Sequence, residues 1–518
     1  MKVVSGKRMR RIEAAVTEKI GLPTLLMMEN AAIRLSEHCL AYLKGKVEPR
    51  VIILAGVGGN GGDGLALARH LHLKGIDVSI ILTGDVSRIH GDALINLQIL
   101  QKLGLCIRLF PSKDNAINVP WELVSCDLVV DALFGAGLDR HIEGVYEYMI
   151  DMVNSHAPYV IAVDMPSGIS ADTGAVMGTA IKADVTVALG YLKTGLIIYP
   201  GAEYAGRVEV ADISIPDTPL SDMEGETGIL TDHEAAALLP RRPQISNKGT
   251  FGRVYAFAGS SNMPGAAFLS AAAAYKAGAG YVCACVIPSV ARVLHHSLKE
   301  AVTCVLPDCG GYYHPGCLDV VSEELSRADA LYAGPGIGRG PRVTEFVFRL
   351  IETARIPMVL DADALNAVSE DVDILKKIQV PCVITPHPGE MSRLTGLPVK
   401  DILENTIGVA GEFAREFGVV TLLKDARTIV TSPAGCNYIN TSGSPAMAKA
   451  GSGDVLTGVI AGFMAQGLDP YTAAKLGAYV HGKAGESAGA ELSNYGVSAS
   501  DLLNHISMVL KRCEKLYR

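Results

Sequence analysis

Aromatic residues are scarce in this chain: one Trp, 18 Tyr and 10 Phe make up 6% of 518 positions. That is too few for the stacking platform on which single-stranded nucleic acid is held. Positive charge is also short, with 46 Lys and Arg against 54 Asp and Glu, a net charge of −8. Such a balance argues against a polycation that grips nucleic acid or an anionic membrane. Long apolar runs are missing too. Lys276 divides the longest uncharged region and Gly278 and Gly280 break it again, so no window offers the ~20 residues a membrane span needs. The eleven cysteines contain no CxxC pair, and Cys283-x-Cys285 reads as alternate positions of a buried strand. An odd count without framework spacing excludes a disulfide scaffold and points to a reducing cytoplasm. The basic cluster Lys7, Arg8, Arg10 and Arg11 precedes no apolar run. Met9, Ile12 and Val16 at helical spacing predict a surface helix there, not a signal peptide.

What the chain does have is strand-length apolar runs, each followed by a helix-length segment. They fall at Val51–Ala55, Val78–Leu82, Leu128–Leu133, Tyr159–Val163 and Val185–Leu189, and resume from Arg253–Ala258 through Val419–Leu423. Continuous rather than alternating apolar runs mark strands covered on both faces, hence parallel α/β sheets. The stretch Ser214–Thr227 carries prolines and acidic residues and breaks the rhythm. The expectation is a first domain over 1–215, a linker over 216–227 and a second domain over 228–518.

Val51–Ala55 runs into Gly56-Val57-Gly58-Gly59-Asn60-Gly61-Gly62-Asp63-Gly64, with a helix expected from Leu65. A glycine-dense turn at a helix mouth lets backbone N–H groups converge on an anion. The spacing matches a dinucleotide fingerprint, but the acidic residue expected at the end of the next strand is missing, and a tight structural turn is the alternative. Asp131 closes a second buried strand before Phe134-Gly135-Ala136-Gly137-Leu138. Asp164 and Ser167 close a third, in Val163-Asp164-Met165-Pro166-Ser167-Gly168. Either aspartate alone could be a turn cap. Together, three polar strand ends predict one pocket beyond the carboxyl edge of the sheet.

With Met28-Glu29-Asn30-Ala31, these motifs resemble the epimerase domain of the nicotinamide-nucleotide repair enzymes, a Rossmann-like α/β/α sandwich acting on hydrated NADH or NADPH. The resemblance implies a potassium ion held by Asn60, Asp131 and Ser167. It implies substrate contacts from Gly59, Asn60, Gly61, Gly62 and Asp63. Further contacts are implied for Gly135, Ala136, Gly137, Leu138, Asp139, Arg140 and His141, and for Asp164. One departure is Gly59, where the family has an asparagine. Interconverting the R and S hydrates at C6 needs a proton shuttle, and Asp164 is the residue we assign to it.

The sharpest signal is Ala450-Gly451-Ser452-Gly453-Asp454-Val455, opening a helical run expected over Val455–Gln466. Glycines at a helix mouth expose N–H donors to a transferring phosphoryl group, and an aspartate there can take a proton from an attacking hydroxyl. No Walker A sequence occurs. Other strand ends carry Gly259–Ala267, Gly334–Gly340, Asp361–Asn366 and Thr385–Glu390, and the segment from Leu422 offers Lys424 for phosphate neutralisation. His387 between two prolines could instead be a rigid turn residue, and Lys424 a solvated one.

This set resembles the ribokinase-like dehydratase domain of the same repair enzymes, although the Asp/Asn-Thr pair usual before the glycine loop is absent. The resemblance implies that Ala267, Gly336 and His387 line the hydrated-nucleotide site, with Asp454 as catalytic base. It implies that Lys424, Asp425, Ala426, Arg427, Thr428 and Gly453 contact ADP, the usual phosphoryl donor. Magnesium would bridge the donor phosphates, Glu390 being a candidate ligand, and the products would be NADH or NADPH, AMP and phosphate. The expected partners are therefore hydrated NADH or NADPH and ADP, without nucleic acid or membrane, and apolar helices leave room for a homo-oligomer. Two rivals stand: a ribokinase-like kinase that leaves phosphate on a small metabolite, and a first domain that only senses nucleotide. The pairs His70-x-His72 and His295-His296 lack Cys or carboxylate partners at metal-ligand spacing.

Overall fold

The structure, a computed structural model, describes residues 1–110, 119–216 and 226–517. Most of the expected linker, 217–225, lies outside the described residues. The chain divides into two compact units, Lys2–Glu224 and Gly225–Arg518. Among the described residues no helix is long and apolar enough to cross a membrane.

The first unit is built on seven parallel strands: β1 (Arg50–Ala55), β2 (Asp77–Thr83), β3 (Cys106–Phe110), β4 (Leu128–Ala132), β5 (Val160–Val163), β6 (Val185–Leu189) and β7 (Arg207–Ala211). Their spatial order is β3-β2-β1-β4-β5-β6-β7. The chain winds outward from β1 to β3, then crosses back to β4, so the switch point lies between β1 and β4. Along β1, Val51, Ile53 and Ala55 enter one apolar core and Ile52 and Leu54 another. That double burial is why the strand reads as an unbroken apolar run. Helices α1 (Gly6–Ala15), α2 (Thr24–Leu43), α3 (Gly59–Leu73) and α4 (Gly91–Lys102) pack on the first face and α5 (Val145–His156) on the other.

The second unit carries β8 (Arg253–Phe257), β9 (Tyr281–Val286), β10 (Val302–Val305), β11 (Ala330–Ala333), β12 (Met358–Leu360), β13 (Cys382–Ile384), β14 (Val420–Leu423), β15 (Ile429–Thr431) and β16 (Asn437–Ile439). They lie in the order β10-β9-β8-β11-β12-β13-β14-β15-β16, parallel up to β14 and antiparallel through the last two pairings. Helix α6 (Pro264–Lys276), the short α7 (Ala362–Val368), α8 (Pro388–Thr395) and α9 (Ser452–Ala465) follow strand ends or loops on this sheet. Every residue of α9 from Val455 onward is buried. It lies against the alanine-rich α6 because Gly458 and Gly462 have no side chain. A Cβ at Gly458 would stand 2.0 Å from the Ser270 carbonyl oxygen, and one at Gly462 2.9 Å from that of Ala274.

Both glycine loops correct the expected helix starts. α3 begins at Gly59, not Leu65, and α9 at Ser452, not Val455. None of the glycines from Gly56 to Gly64 takes a left-handed φ. They are small for packing: a Cβ at Gly61 would meet the Gly56 carbonyl oxygen at 1.9 Å, and one at Gly64 would meet the Ala132 Cβ at 2.6 Å. Only Gly451, at φ +91°, needs glycine's freedom, turning the chain into α9.

Candidate active sites

At the β1/β4 switch point the first unit opens a cavity of about 720 Å3. Gly59, Asn60 and Asp63 reach it from the first turns of α3, Gly135–Arg140 from the loop after β4, and Asp164 from the end of β5. Gly61 and Gly62 face the protein interior, and His141 is exposed outside the lining. The α1 helix is more than a surface helix, since Met9, Arg10 and Glu13 form part of the wall. Gly59 has open space where a side chain would be, so the missing asparagine costs no packing. The Met28-Glu29-Asn30 motif has separate tasks. Met28 lines the cavity, Glu29 ties α2 to α3 by accepting from Arg69 (2.5 Å) and His70 (2.8 Å), and Asn30 donates to Ser214 (3.0 Å). His70 is thus a hydrogen-bond partner of Glu29.

Asp164 is the most constrained carboxylate in this cavity. It sits at φ +67°, a region costly for a residue with a side chain. The N–H groups of Leu189 (3.1 Å) and Ala136 (3.2 Å) donate to its two oxygens. The ammonium of Lys193, wholly buried, donates to it and to the Leu189 carbonyl (2.6 Å). Lys193 carried no motif; a lone lysine inside the apolar segment Ala188–Leu196 was its only trace. Burial pushes Asp63 well above the ordinary carboxylate range, with the negative Asp164 and Glu13 adding to it. Glu13 is raised for the same reason, with Asp164 contributing.

Beneath the loop after β4, Asp131 is fully buried. Its oxygens accept from the Ser167 N–H (2.7 Å), the Ser167 hydroxyl (2.5 Å) and the Leu133 N–H (3.3 Å). Burial still outweighs these donors and lifts it to about 6. The Asn60 side chain approaches Gly135, where a Cβ would lie 2.8 Å from Oδ1, and its buried Nδ2 finds no partner. The three residues expected to share an ion are thus packed around Phe134–Gly135, whose N–H at Phe134 donates to the Ser167 hydroxyl (2.9 Å).

In the second unit, Asp454 stands at the mouth of α9. Burial and then the negative Asp361 raise it to about 7, against the opposing pull of Lys424. Asp361, at the end of β12, is buried and accepts from Lys424 (2.7 Å) and the Thr457 hydroxyl (2.7 Å). Burial disfavours the Lys424 charge, but Asp361 and Glu390 outweigh it and hold the lysine protonated. A Cβ at Gly453 would lie 3.5 Å from the Lys424 ammonium, so these expected nucleotide contacts are neighbours. Asp425–Thr428 form the turn between β14 and β15, where Arg427 donates to the Thr441 carbonyl (2.9 Å).

His387 is the N-cap of α8. Its Nδ1 accepts from the Gly389 (3.0 Å) and Glu390 (3.2 Å) N–H groups, and Nε2 lies 3.4 Å from the Glu390 carboxylate on a half-exposed side chain. Burial, Lys424 and Arg393 push it below the usual histidine range. Glu390 accepts from the His387 N–H (2.8 Å) and lies 3.8 Å from Lys424. Gly336, at φ +62°, approaches the start of α6 so closely that a Cβ would touch that of Ala266 at 2.8 Å. Ala267 is buried beside Gly259. Sequence reasoning missed His481, which approaches the Ser452 hydroxyl (3.3 Å) and is pushed down to about 4 by burial. Asp361 was legible only as the first residue of the strand end Asp361–Asn366.

A carboxylate cleft at one switch point and a glycine-mouthed helix holding a carboxyl near neutrality beside a half-buried lysine define a two-site α/β enzyme. Residues 24–195 match the family model described as YjeF-related protein N-terminus, and 254–508 match that of NAD(P)H-hydrate dehydratase. The bifunctional NAD(P)H-hydrate repair enzyme of Moorella thermoacetica is 41% identical over 517 residues, covering 99% of this chain and 98% of that protein. The enzyme of the same description from Thermofilum pendens is 35% identical, covering 99% and 96%. A crystal structure of the ADP/ATP-dependent NAD(P)H-hydrate dehydratase from Bacillus subtilis with ATP/Mg2+ is 30% identical, with a TM-score of 0.48, covering 57% of this chain and 100% of that one. The chain belongs to the bifunctional NAD(P)H-hydrate repair enzymes, a Rossmann-like unit followed by a ribokinase-like one.

Proposed function

We propose that the chain restores hydrated NADH and NADPH in two steps: epimerisation of the R and S forms in the first unit, and ADP-dependent dehydration of the S form in the second. The domain limits we assign are 1–215 and 228–518, joined by 216–227. The observation that carries the dehydratase reading is Asp454 near neutrality at the mouth of α9, beside Lys424. Asp454 takes the proton of the C6 hydroxyl, and that oxygen attacks the terminal phosphorus of ADP while the bond to AMP breaks. Lys424 and the first N–H groups of α9 offset charge on the transferring group. Phosphate then leaves C6 under the push of the N1 lone pair, and C5 loses a proton to give the dihydronicotinamide.

In the first unit Asp164 moves the C6 hydroxyl proton while the loops after β1 and β4 hold the nucleotide. Potassium fits the residues at Asp131: a buried carboxylate without a cationic side chain, the Ser167 hydroxyl and the Asn60 Oδ1, which faces Gly135, form an oxygen-rich set of the kind hard cations take. When bound, the ion supplies the positive charge that this buried carboxylate lacks. Magnesium has no comparable cage. No group of three His, Cys, Asp or Glu side chains that could hold a metal occurs among the described residues, and Glu390 is engaged by His387 and Lys424, so no step depends on it. The eleven free cysteines support a cytoplasmic setting.

The test mixes purified protein, hydrated NADH and ADP or ATP. Return of dihydronicotinamide absorbance with release of AMP or ADP and phosphate is expected, and Asp454→Asn should abolish it. Accumulation of a stable phosphorylated product would favour the kinase reading instead.

A further inference from the structure

The epimerase cavity holds two aspartates in opposite surroundings. Asp164 is saturated with donors and paired with a buried cation. Asp63, one turn into α3, lines the same cavity and receives no hydrogen bond and no ion pair among the described residues. The groups facing it are mostly anionic: Glu13 from α1, Asp92 from α4 and Asp164, with Lys193 the opposing cation. Arg10, Arg88, His90 and Arg140 line other parts of the wall. Such surroundings favour the protonated form of Asp63, while Asp164 already accepts from Lys193 and from two backbone N–H groups. Two carboxyls of one cavity in surroundings this different suit a division of acid and base roles between them.

We propose that Asp63 is the proton donor that works opposite Asp164 in epimerisation, a proposal that rests on Asp164 being the base. Asp164 removes the C6 hydroxyl proton, and the oxygen's electron pair forms the C6 carbonyl. The C6–N1 bond breaks, its electron pair stays on N1, and Asp63 protonates N1. After rotation about C5–C6 the opposite face of the aldehyde meets N1. The Asp63 carboxylate recovers the N1 proton as the ring closes, and Asp164 returns its proton to oxygen. No oxidant or other co-reactant enters, and both residues end as they began.

The experiment follows one resolved epimer converting to the other in the full-length protein across pH. Wild type should lose rate at low pH as the base is protonated, and at high pH as the acid is ionised. Asp63→Asn should lower kcat by about 10²–10³-fold, leave KM within about threefold, and remove the alkaline limb. Asp63→Glu should restore much of the rate and bring the limb back at a shifted position. Wild-type kcat in Asp63→Asn, or a loss confined to KM with the alkaline limb intact, overturns the proposal. If Asp63→Asn shows no cooperative melt, an alkaline limb unmoved in Asp63→Glu overturns it. Asp164→Asn separates the two assignments. A wild-type rate there refutes the base itself, whereas loss of rate there beside an unaffected Asp63→Asn refutes Asp63 alone.

Discussion

Replacing Asp361 by asparagine should move the pH dependence of the dehydratase in a known direction. Asp361 raises Asp454 by like charge, while Lys424, held 2.7 Å from Asp361, lowers it. The substitution removes the repulsion and frees the lysine's field, so both changes lower Asp454. At an effective dielectric of about 20, two like charges about 8 Å apart repel by about 2 kcal/mol, and losing a repulsion of that scale is worth roughly 1.5 pH units. The base works ionised, so activity is lost as pH falls through its pKa. The acid limb of kcat/KM for ADP-dependent recovery of NADH from the S form should therefore drop from about 7 to about 5.5–6. The asparagine oxygen still accepts from the Thr457 hydroxyl, and Glu390 still faces Lys424 at 3.8 Å. The stability cost should therefore stay below the ~3–5 kcal/mol of an unaccompanied buried charge. An acid limb that stays at wild-type pH or rises would refute the assignment of Asp454 as the titrating base.

Gly458→Ala should cost about 1–3 kcal/mol, because its Cβ would meet the Ser270 carbonyl oxygen at 2.0 Å; a thermal melt unchanged from wild type would contradict the packing of α9 on α6. Lys193→Met leaves Asp164 without its cation and should destabilise the first unit by about 3–5 kcal/mol, read by denaturant titration, with epimerase activity lost; a fully active, equally stable variant would contradict the pairing. Asp131→Asn should erase any rise in melting temperature that potassium chloride gives over choline chloride. Wild type insensitive to that exchange would remove potassium from the account.

The buried parallel strands were legible because burial on both faces leaves no polar alternation, as β1 shows by sharing its residues between two cores. Strand-end aspartates were legible for the related reason that a polar residue closing such a run has to face the sheet edge. Helix starts were not. Gly61, Gly64 and Gly458 carry no side chain because a carbonyl or a methyl group occupies the space, and in sequence such a glycine looks the same as one that frees a loop. The charges that tune the sites also escaped, because they arrive from distant segments. Glu13 and Lys193 reach Asp164 from 151 and 29 positions away, and Lys424 reaches Asp361 from 63. Only the fold brings such groups together, and with them come the shifts at Asp63 and Asp454.

The division of labour assigns Asp164 and Asp454 to two successive reactions. It is tested most directly by supplying Asp164→Asn with ADP and either the pure R or the pure S hydrate, and following dihydronicotinamide absorbance. Recovery from S is expected at the wild-type rate, and none from R beyond uncatalysed epimerisation. Equal recovery from both forms, or loss of recovery from S, would contradict it.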